Sequence, residues 1–341
     1  MEKPDLDKAV RAGTLATLPR SALTVARLIE RNAAGNTPLH LAAKLGRLRD
    51  LPAEALTDES LTAKNDAGYT PLHHAALGGN LDQIPAARLT PANLATRSNA
   101  GYTVFHLAAA QGTLAQLPAD LLTAEVIRRK TDVGNTLLHE AAENGTLHRI
   151  PAHFITGESV SDKNLGGETV LHVAAFNGHL GQIPPVLLTS AALRETTSAG
   201  DTVFHAAAIS GHLEQIPAEF LTHDNLVISS KSGFTAIHAA AETGQLRKIP
   251  ANQLTADLLL SRNDNGDTPL HAAAYEGHLD QVPPATLSAE RVMTRNYDGL
   301  SVEELARDRG HYEQIPVAAR PKTMGPIRRF FRNLGRSRAP F

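Results

Sequence analysis

The sequence predicts an all-α solenoid of short helical units, and three residue series in a common register predict it. Histidine falls at His40, His73, His106, His139, His172, His205, His238 and His271, each 33 residues after the last. One glycine series runs Gly35, Gly68, Gly101, Gly134, Gly167, Gly200, Gly233, Gly266 and Gly299, and another runs Gly46, Gly79, Gly112, Gly145, Gly178, Gly211, Gly244, Gly277 and Gly310. A fixed period in this range means stacked supersecondary units, none of which can bury its apolar face alone.

Each unit opens with G-x-T-x-x-H-x-A-A-x-x-G, as in Gly68-Tyr69-Thr70-Pro71-Leu72-His73-His74-Ala75-Ala76-Leu77-Gly78-Gly79. Thr70 suits a helix N-cap, where its hydroxyl accepts from an orphan N–H, and Pro71 suits the first helical position, where it has no hydrogen bond to lose. Thr37-Pro38 and Thr268-Pro269 repeat the pair. Leu72, Ala75 and Ala76 form a narrow apolar stripe that lets a neighbouring helix approach closely, and Gly79 can end the helix in a left-handed conformation. The second half reads L-x-x-I-P-x-x-x-L-T-x-x-x-L, as from Leu213 to Leu226, with proline recurring at Pro52, Pro85, Pro118, Pro151, Pro184, Pro217, Pro250 and Pro283. Interior proline breaks a helix. A short turn ending near Ile216, a restart at Pro217 and a further cap at Thr222 are expected, with Leu213, Ile216, Phe220, Leu221 and Leu226 facing inward.

The first-half motif resembles the ankyrin-repeat family, in which T-P-L-H-x-A opens the first of two antiparallel helices and a hairpin-like loop joins successive units. The resemblance covers most of the chain. It implies eight full units over residues 35–298, a degenerate N-terminal capping repeat over 1–34, a degenerate C-terminal capping repeat over 299–319, and a tail over 320–341. The flanks keep register: Gly13, Leu15, Leu18-Pro19 and Leu23-Thr24 precede Gly46, Leu48, Leu51-Pro52 and Leu56-Thr57 by one period, while Asp7 answers His40 and Glu303-Glu304 replaces Leu270-His271. Polar substitution suits terminal units, one face of which meets water. The proline-split second half departs from the family pattern.

Composition narrows the function. No apolar run approaches the ~18 residues of a membrane-spanning helix, and the absence of cysteine excludes disulfides and thiolate metal sites. Met1-Glu2-Lys3-Pro4-Asp5 lacks a secretory profile, so a cytoplasmic location is expected, with export as an effector requiring a specialised system. Residues 317–341 hold Arg320, Lys322, Arg328, Arg329, Arg332, Arg336 and Arg338 and no acid, so the net charge of −2 divides into a basic end and an acidic remainder. An acidic body repels phosphate, which argues against nucleic acid.

The histidines suggest no metal. Stacked helices stand roughly 10 Å apart, whereas imidazoles sharing a zinc each place a nitrogen about 2.0–2.1 Å from it. The resemblance implies instead that these rings make structural hydrogen bonds. A second series, His179, His212, His278 and His311, reads as partly exposed turn residues. His139-Glu140-Ala141-Ala142-Glu143 comes nearest a zinc-hydrolase motif but ends in glutamate, and no nucleotide or nucleophile motif occurs. No enzyme activity, cofactor or metal is expected, and a monomer is expected.

In the family, partners meet the inner face made by loop tips and the first helix. The residues there vary and include large apolar groups, which suggests contacts at Tyr69, Leu77, Tyr102, Phe176, Ile209, Phe234, Tyr275 and Tyr297; the competing reading is that these side chains pack sideways onto adjacent loops. In the tail, Ile327, Phe330, Phe331 and Leu334 share one helical face, with Arg328, Arg329 and Arg332 beside it, the pattern of a basic amphipathic helix. That helix either caps the solenoid or binds an anionic membrane or an acidic partner. The expected function is a non-catalytic protein-binding scaffold or adaptor; the alternative is a membrane-tethered adaptor or host-directed effector acting through the tail.

Overall fold

A computed structural model describes residues 4–321, and helical turns make up its regular structure apart from isolated bridges at Lys163–Thr169, Ser229–Thr235 and Arg295–Ser301. The described residues form two compact units that divide between Ala199 and Gly200. In the N-terminal unit the leading helices of successive repeats are Leu6–Ala12, Pro38–Lys44, Pro71–Gly78, Val104–Ala110, Leu137–Asn144 and Val170–Phe176, each packed on the next. In the C-terminal unit they are Val203–Ser210, Ala236–Glu242, Pro269–Glu276 and Val302–Asp308, packed in the same sequential way. Alanine makes the close approach possible: Ala42, Ala43, Ala75, Ala76, Ala141 and Ala142 are fully buried beside Leu39, Leu72 and Leu138.

The two glycine series have separate causes. Gly79 ends its helix with φ +70°, donating its N–H back to Ala75 and Ala76 carbonyls, a conformation that costs an L side chain dearly. Gly68 turns the hairpin, and a Cβ on it would lie 2.6 Å from the backbone nitrogen of Asn99 in the next repeat. That proximity lets hairpin tips bond one another: Asn99 N–H donates to Ala67 (3.0 Å), Asp132 to Ala100 (3.1 Å), Leu165 to Val133 (3.0 Å), and in the C-terminal unit Tyr297 to Asn265 (3.1 Å).

The second half is not an antiparallel helix. It consists of two 3₁₀ turns and one helical turn, for example Leu213–Gln215, Ala218–Phe220 and His223–Leu226. Ile216, preceding the proline, is extended at ψ 126°, as the ring of Pro217 demands, and Pro217 sits at the cap of the second turn. Thr222 stands at the N-cap position of the last turn but makes no side-chain capping hydrogen bond there. Leu213, Ile216, Leu221 and Leu226 are buried, but Phe220 is only half-buried. Neighbouring residues on a 3₁₀ turn lie ~120° apart, so Phe220 and Leu221 cannot both face the core.

Two further inter-repeat ties run through polar side chains. Gln116 donates from Nε2 to the Gly79 carbonyl (2.9 Å) and accepts the Leu81 N–H (2.9 Å); Gln314 does the same with Gly277 (2.7 Å) and Leu279 (3.0 Å). Along the hairpins a column of cations each reaches the backbone carbonyl one repeat on: Arg31 to Lys64 (2.8 Å), Lys64 to Arg97 (2.8 Å), Arg97 to Lys130 (3.0 Å), Lys130 to Lys163 (2.7 Å) and Lys163 to Thr196 (3.0 Å).

Because every tie spans one period, removing residues 68–100 should leave a shorter array that still melts cooperatively, as nearest-neighbour stability requires. Removing residues 68–84 alone should abolish the cooperative transition. Circular dichroism melts of the two deletions check this, and equal damage in both would contradict the repeat architecture.

Candidate functional site

The inner face is built on the repeat histidine. In the second leading helix the His40 Nδ1 accepts the Thr37 backbone N–H (3.1 Å) and lies 2.8 Å from the Thr37 hydroxyl, while Nε2 meets the Tyr69 carbonyl of the next repeat at 2.9 Å. A backbone N–H only donates, so Nδ1 is the acceptor and Nε2 carries the proton. The ring therefore closes the capping box at its own helix start and clamps the following loop. The same Nε2 contact joins His73 to Tyr102 (3.1 Å), His139 to Glu168 (3.1 Å), His205 to Phe234 (3.1 Å), His238 to Asp267 (3.0 Å) and His271 to Leu300 (3.2 Å), while His106 Nε2 turns to the Arg129 carbonyl (2.9 Å) within its own repeat. Both nitrogens of each ring are used in this way. Burial pushes His73, His106, His139 and His238 down to about 4 and lowers His40, His205 and His271 as well.

That clamp holds several of the sequence-predicted contact residues. Tyr69, Tyr102 and Phe234 have their carbonyls fixed by the preceding histidine, and each ring lies against its own repeat's histidine at 5.5, 6.1 and 5.4 Å between centroids. All three are half-buried, as are Leu77, Phe176, Ile209 and Tyr275. The Arg309 guanidinium covers the Tyr275 ring at 3.6 Å. Tyr297 is different, 72% exposed, with Arg262 6.0 Å away. The side chains thus combine sideways packing with a remaining exposed surface. Of the second histidine series, His179 donates from Nδ1 to the Ala142 carbonyl (2.8 Å) of the preceding repeat and lies against Gly145. The tail residues Ile327, Arg328, Arg329, Phe330, Phe331, Arg332 and Leu334 lie outside the described residues.

One group on this face was missed by sequence reasoning. Glu140 is only 4% exposed; it accepts from Asn135 Nδ2 at 3.0 Å and from the Tyr102 hydroxyl. Burial pushes its carboxyl up to about 7, and Glu143 on the same helix adds repulsion. Burial and the Glu140 charge push the Tyr102 phenol up to about 12. The signal was present in register: the residue after the repeat histidine is Leu41, His74, Leu107, Val173, Ala206, Ala239 or Ala272 elsewhere, and acidic only at Glu140 in this series.

Comparison with known families agrees with this architecture. Residues 171–250 match a family model described as ankyrin repeats (3 copies), and residues 265–282 match one described as ankyrin repeat. No curated protein matches the chain. With the period, the capped leading helices and the hairpin-to-hairpin bonding, the match over these residues supports an ankyrin-repeat protein. Repeats of this family generally mediate protein–protein interaction, and the family is typically non-catalytic. Among the described residues no helix is long and apolar enough to cross a membrane.

Two stability predictions follow from the titrating groups. The histidines have folded pKa values below the unfolded value, so the unfolded chain binds more protons between about pH 6.5 and 4. Stability should be complete above about pH 6.5 and fall as pH drops toward 4. Urea melts from pH 7.5 to 4 measure the slope. His139→Ala should reduce it and cost on the order of 1–3 kcal/mol at pH 7.5, where it strands the Thr136 N–H and leaves the Glu168 carbonyl with only the Asn164 N–H. Glu140 has the opposite sign, since its raised pKa makes the folded state lose stability as pH rises through about 7. Glu140→Gln should therefore raise the melting temperature at pH 8 more than at pH 5.

Proposed function

We propose that the protein is a non-catalytic scaffold or adaptor that recognises a protein partner through the inner face of loop tips and leading helices. The contact residues are Tyr69, Leu77, Tyr102 and Phe176 in the N-terminal unit and Ile209, Phe234, Tyr275 and Tyr297 in the C-terminal unit. The observation that carries this reading is the histidine clamp beneath Tyr69, Tyr102 and Phe234: each presents a partly exposed ring on a loop whose carbonyl is already fixed. Ring surface ordered before binding costs little entropy on association. The same reading assigns recognition to the full repeats over residues 35–298, makes 1–34 and 299–319 end caps, and places the protein in the cytoplasm as a monomer. A second role, tethering to an anionic membrane through the tail, is favoured by the apolar and arginine faces of residues 327–334. Liposome flotation with and without residues 320–341 tests it.

Affinity capture from the source lysate followed by titration calorimetry tests the main reading. Phe176→Ala combined with Tyr102→Ala should weaken the captured partner by at least about 2 kcal/mol, roughly thirtyfold. Leu180→Ala, which removes a fully buried core side chain, should instead cost roughly 2–5 kcal/mol of stability. Full affinity in the double variant would move the binding site off this face.

A further inference from the structure

Each repeat is closed by the one that follows it, and the C-terminal unit shows where that closure stops. A Cβ on the hairpin glycines Gly233 or Gly266 would strike Asp264 or the Tyr297 ring one repeat on, and a Cβ on the helix-end Gly277 would strike His311. A Cβ on Gly299 or Gly310, their counterparts in the last repeat, would meet nothing within 4 Å among the described residues. The exposed large apolar side chains described in this unit gather there too: Met293, Tyr297 and Val317 all lie in the last full repeat and the cap after it. By contrast, residues 4–34 at the other end of the chain expose none.

The sequence after Pro321 keeps the place of a further repeat without its pattern. The third turn buries an aliphatic residue at a fixed position, Leu226, Leu259 and Val292 in this unit, and the next residue in that register is Gly325. The next hairpin glycine is replaced by Arg332, where a left-handed turn would be strained. What the segment offers instead is Ile327, Phe330, Phe331 and Leu334 on one helical face. Register also says where that face begins. Arg128, just past the third turn of its repeat, pairs with Asp162 at 2.7 Å, 34 residues on; Met293 and Ile327 stand in the same two places. Arg320 fixes the point of departure, its Nε donating to the Ile315 carbonyl (3.0 Å) and its guanidinium pairing with Glu313 (2.7 Å). The five residues from there to Ile327 span at most roughly 17 Å, so the segment stays near this end. Glu290 and Asp308, exposed carboxylates that make no ion pair among the described residues, complement Arg328, Arg329 and Arg332.

We propose that residues 327–334 form a helix that docks on the open C-terminal end of the array, its apolar face covering Met293 and Tyr297 and its arginines meeting Glu290 and Asp308 at the rim. The segment completes the cap that residues 299–319 leave open. Because it is tethered, its local concentration at that surface is on the order of millimolar, so a modest apolar contact suffices to hold it. The same four apolar side chains cannot cover the array and enter a bilayer together. The membrane role described above therefore requires undocking, and an anionic surface competes with the end of the solenoid for one helix face. The inner-face reading stands apart from this, since it needs no part of the tail.

The chain has no cysteine, so an introduced pair reports docking without competition. In the full chain with oxidised glutathione, Met293→Cys combined with Ile327→Cys should close an intramolecular disulfide at least about tenfold faster than Met293→Cys combined with Arg338→Cys. The difference in intervening chain length alone accounts for less than about twofold. Non-reducing electrophoresis reads the closed monomer, whose formation should not depend on protein concentration. Hydrogen exchange gives a second readout without cysteines: in Phe330→Ser combined with Phe331→Ser, amides of Val302–Asp308 should exchange about tenfold faster than in the wild type, while those of Ala236–Glu242 stay unchanged. Vesicles of phosphatidylcholine and phosphatidylserine should slow disulfide closure at least about threefold, by drawing the helix away. Equal closure rates in the two pairs, or exchange at Val302–Asp308 that the double variant leaves unmoved, overturn the docking. A disulfide-linked dimer in place of the closed monomer gives the end surface to a second copy and overturns it as well. Closure indifferent to vesicles overturns the competition with the membrane.

Discussion

Everything in each unit hangs on an imidazole held between two repeats. Its Nδ1 completes the capping box at the start of one helix, and its Nε2–H takes a loop carbonyl of the next. One ring thus bonds backbone groups from two repeats at once in a buried site, where an unmade hydrogen bond carries its desolvation cost. The threonine hydroxyl, the small alanines behind the ring and the left-handed glycine at the helix end all serve to keep the leading helix short and the neighbouring loop within reach. Remove the ring and cap and stacking weaken together.

Under the proposed function, the clamp also couples architecture to recognition. A loop already closed by its own hairpin bond has the same carbonyl held again by the preceding histidine at Tyr69, Tyr102 or Phe234, so variation in the side chains there does not disturb the stacking. Strict repetition at His73 or His106 and free variation at Tyr69 or Glu140 are two sides of the same division of labour. Glu140 shows how far the tolerance extends: the helix start holds even with a poorly compensated carboxylate one residue beyond the histidine.

The histidine, threonine, alanine and glycine roles were legible in the sequence because each has a single physical reason for recurring. The break at Pro217 was legible for the same cause, since proline restricts both itself and the residue before it. Less was visible where long polar side chains act. Arg31, Lys64, Arg97, Lys130 and Lys163 lie one period apart, yet charges on a loop ordinarily mark a solvated face, and only coordinates show them reaching the next carbonyl. Gln116 was hidden likewise, a polar residue whose two bonds both cross to another repeat. At the proposed contact positions sequence placed Tyr69 and Tyr102 on a variable position, but how much of each ring rests on histidine depends on packing that no pattern encodes.

The proline-split second half gives the two sides of each repeat unequal resistance to opening. The leading helix and hairpin have amides bonded within the helix, to the cap and across to a neighbour, so freeing any of them requires separating repeats. The 3₁₀ turns such as Ala86–Arg88 and Ala119–Leu121 contain no buried residue, and their amides close only short local rings. Such segments can open singly, without the stack yielding. Amide hydrogens on that side therefore exchange through small local excursions while those at the helix starts wait for larger ones, and a protease meeting the folded chain finds its first purchase on the proline turns, away from the surface that carries Tyr102 and Glu140.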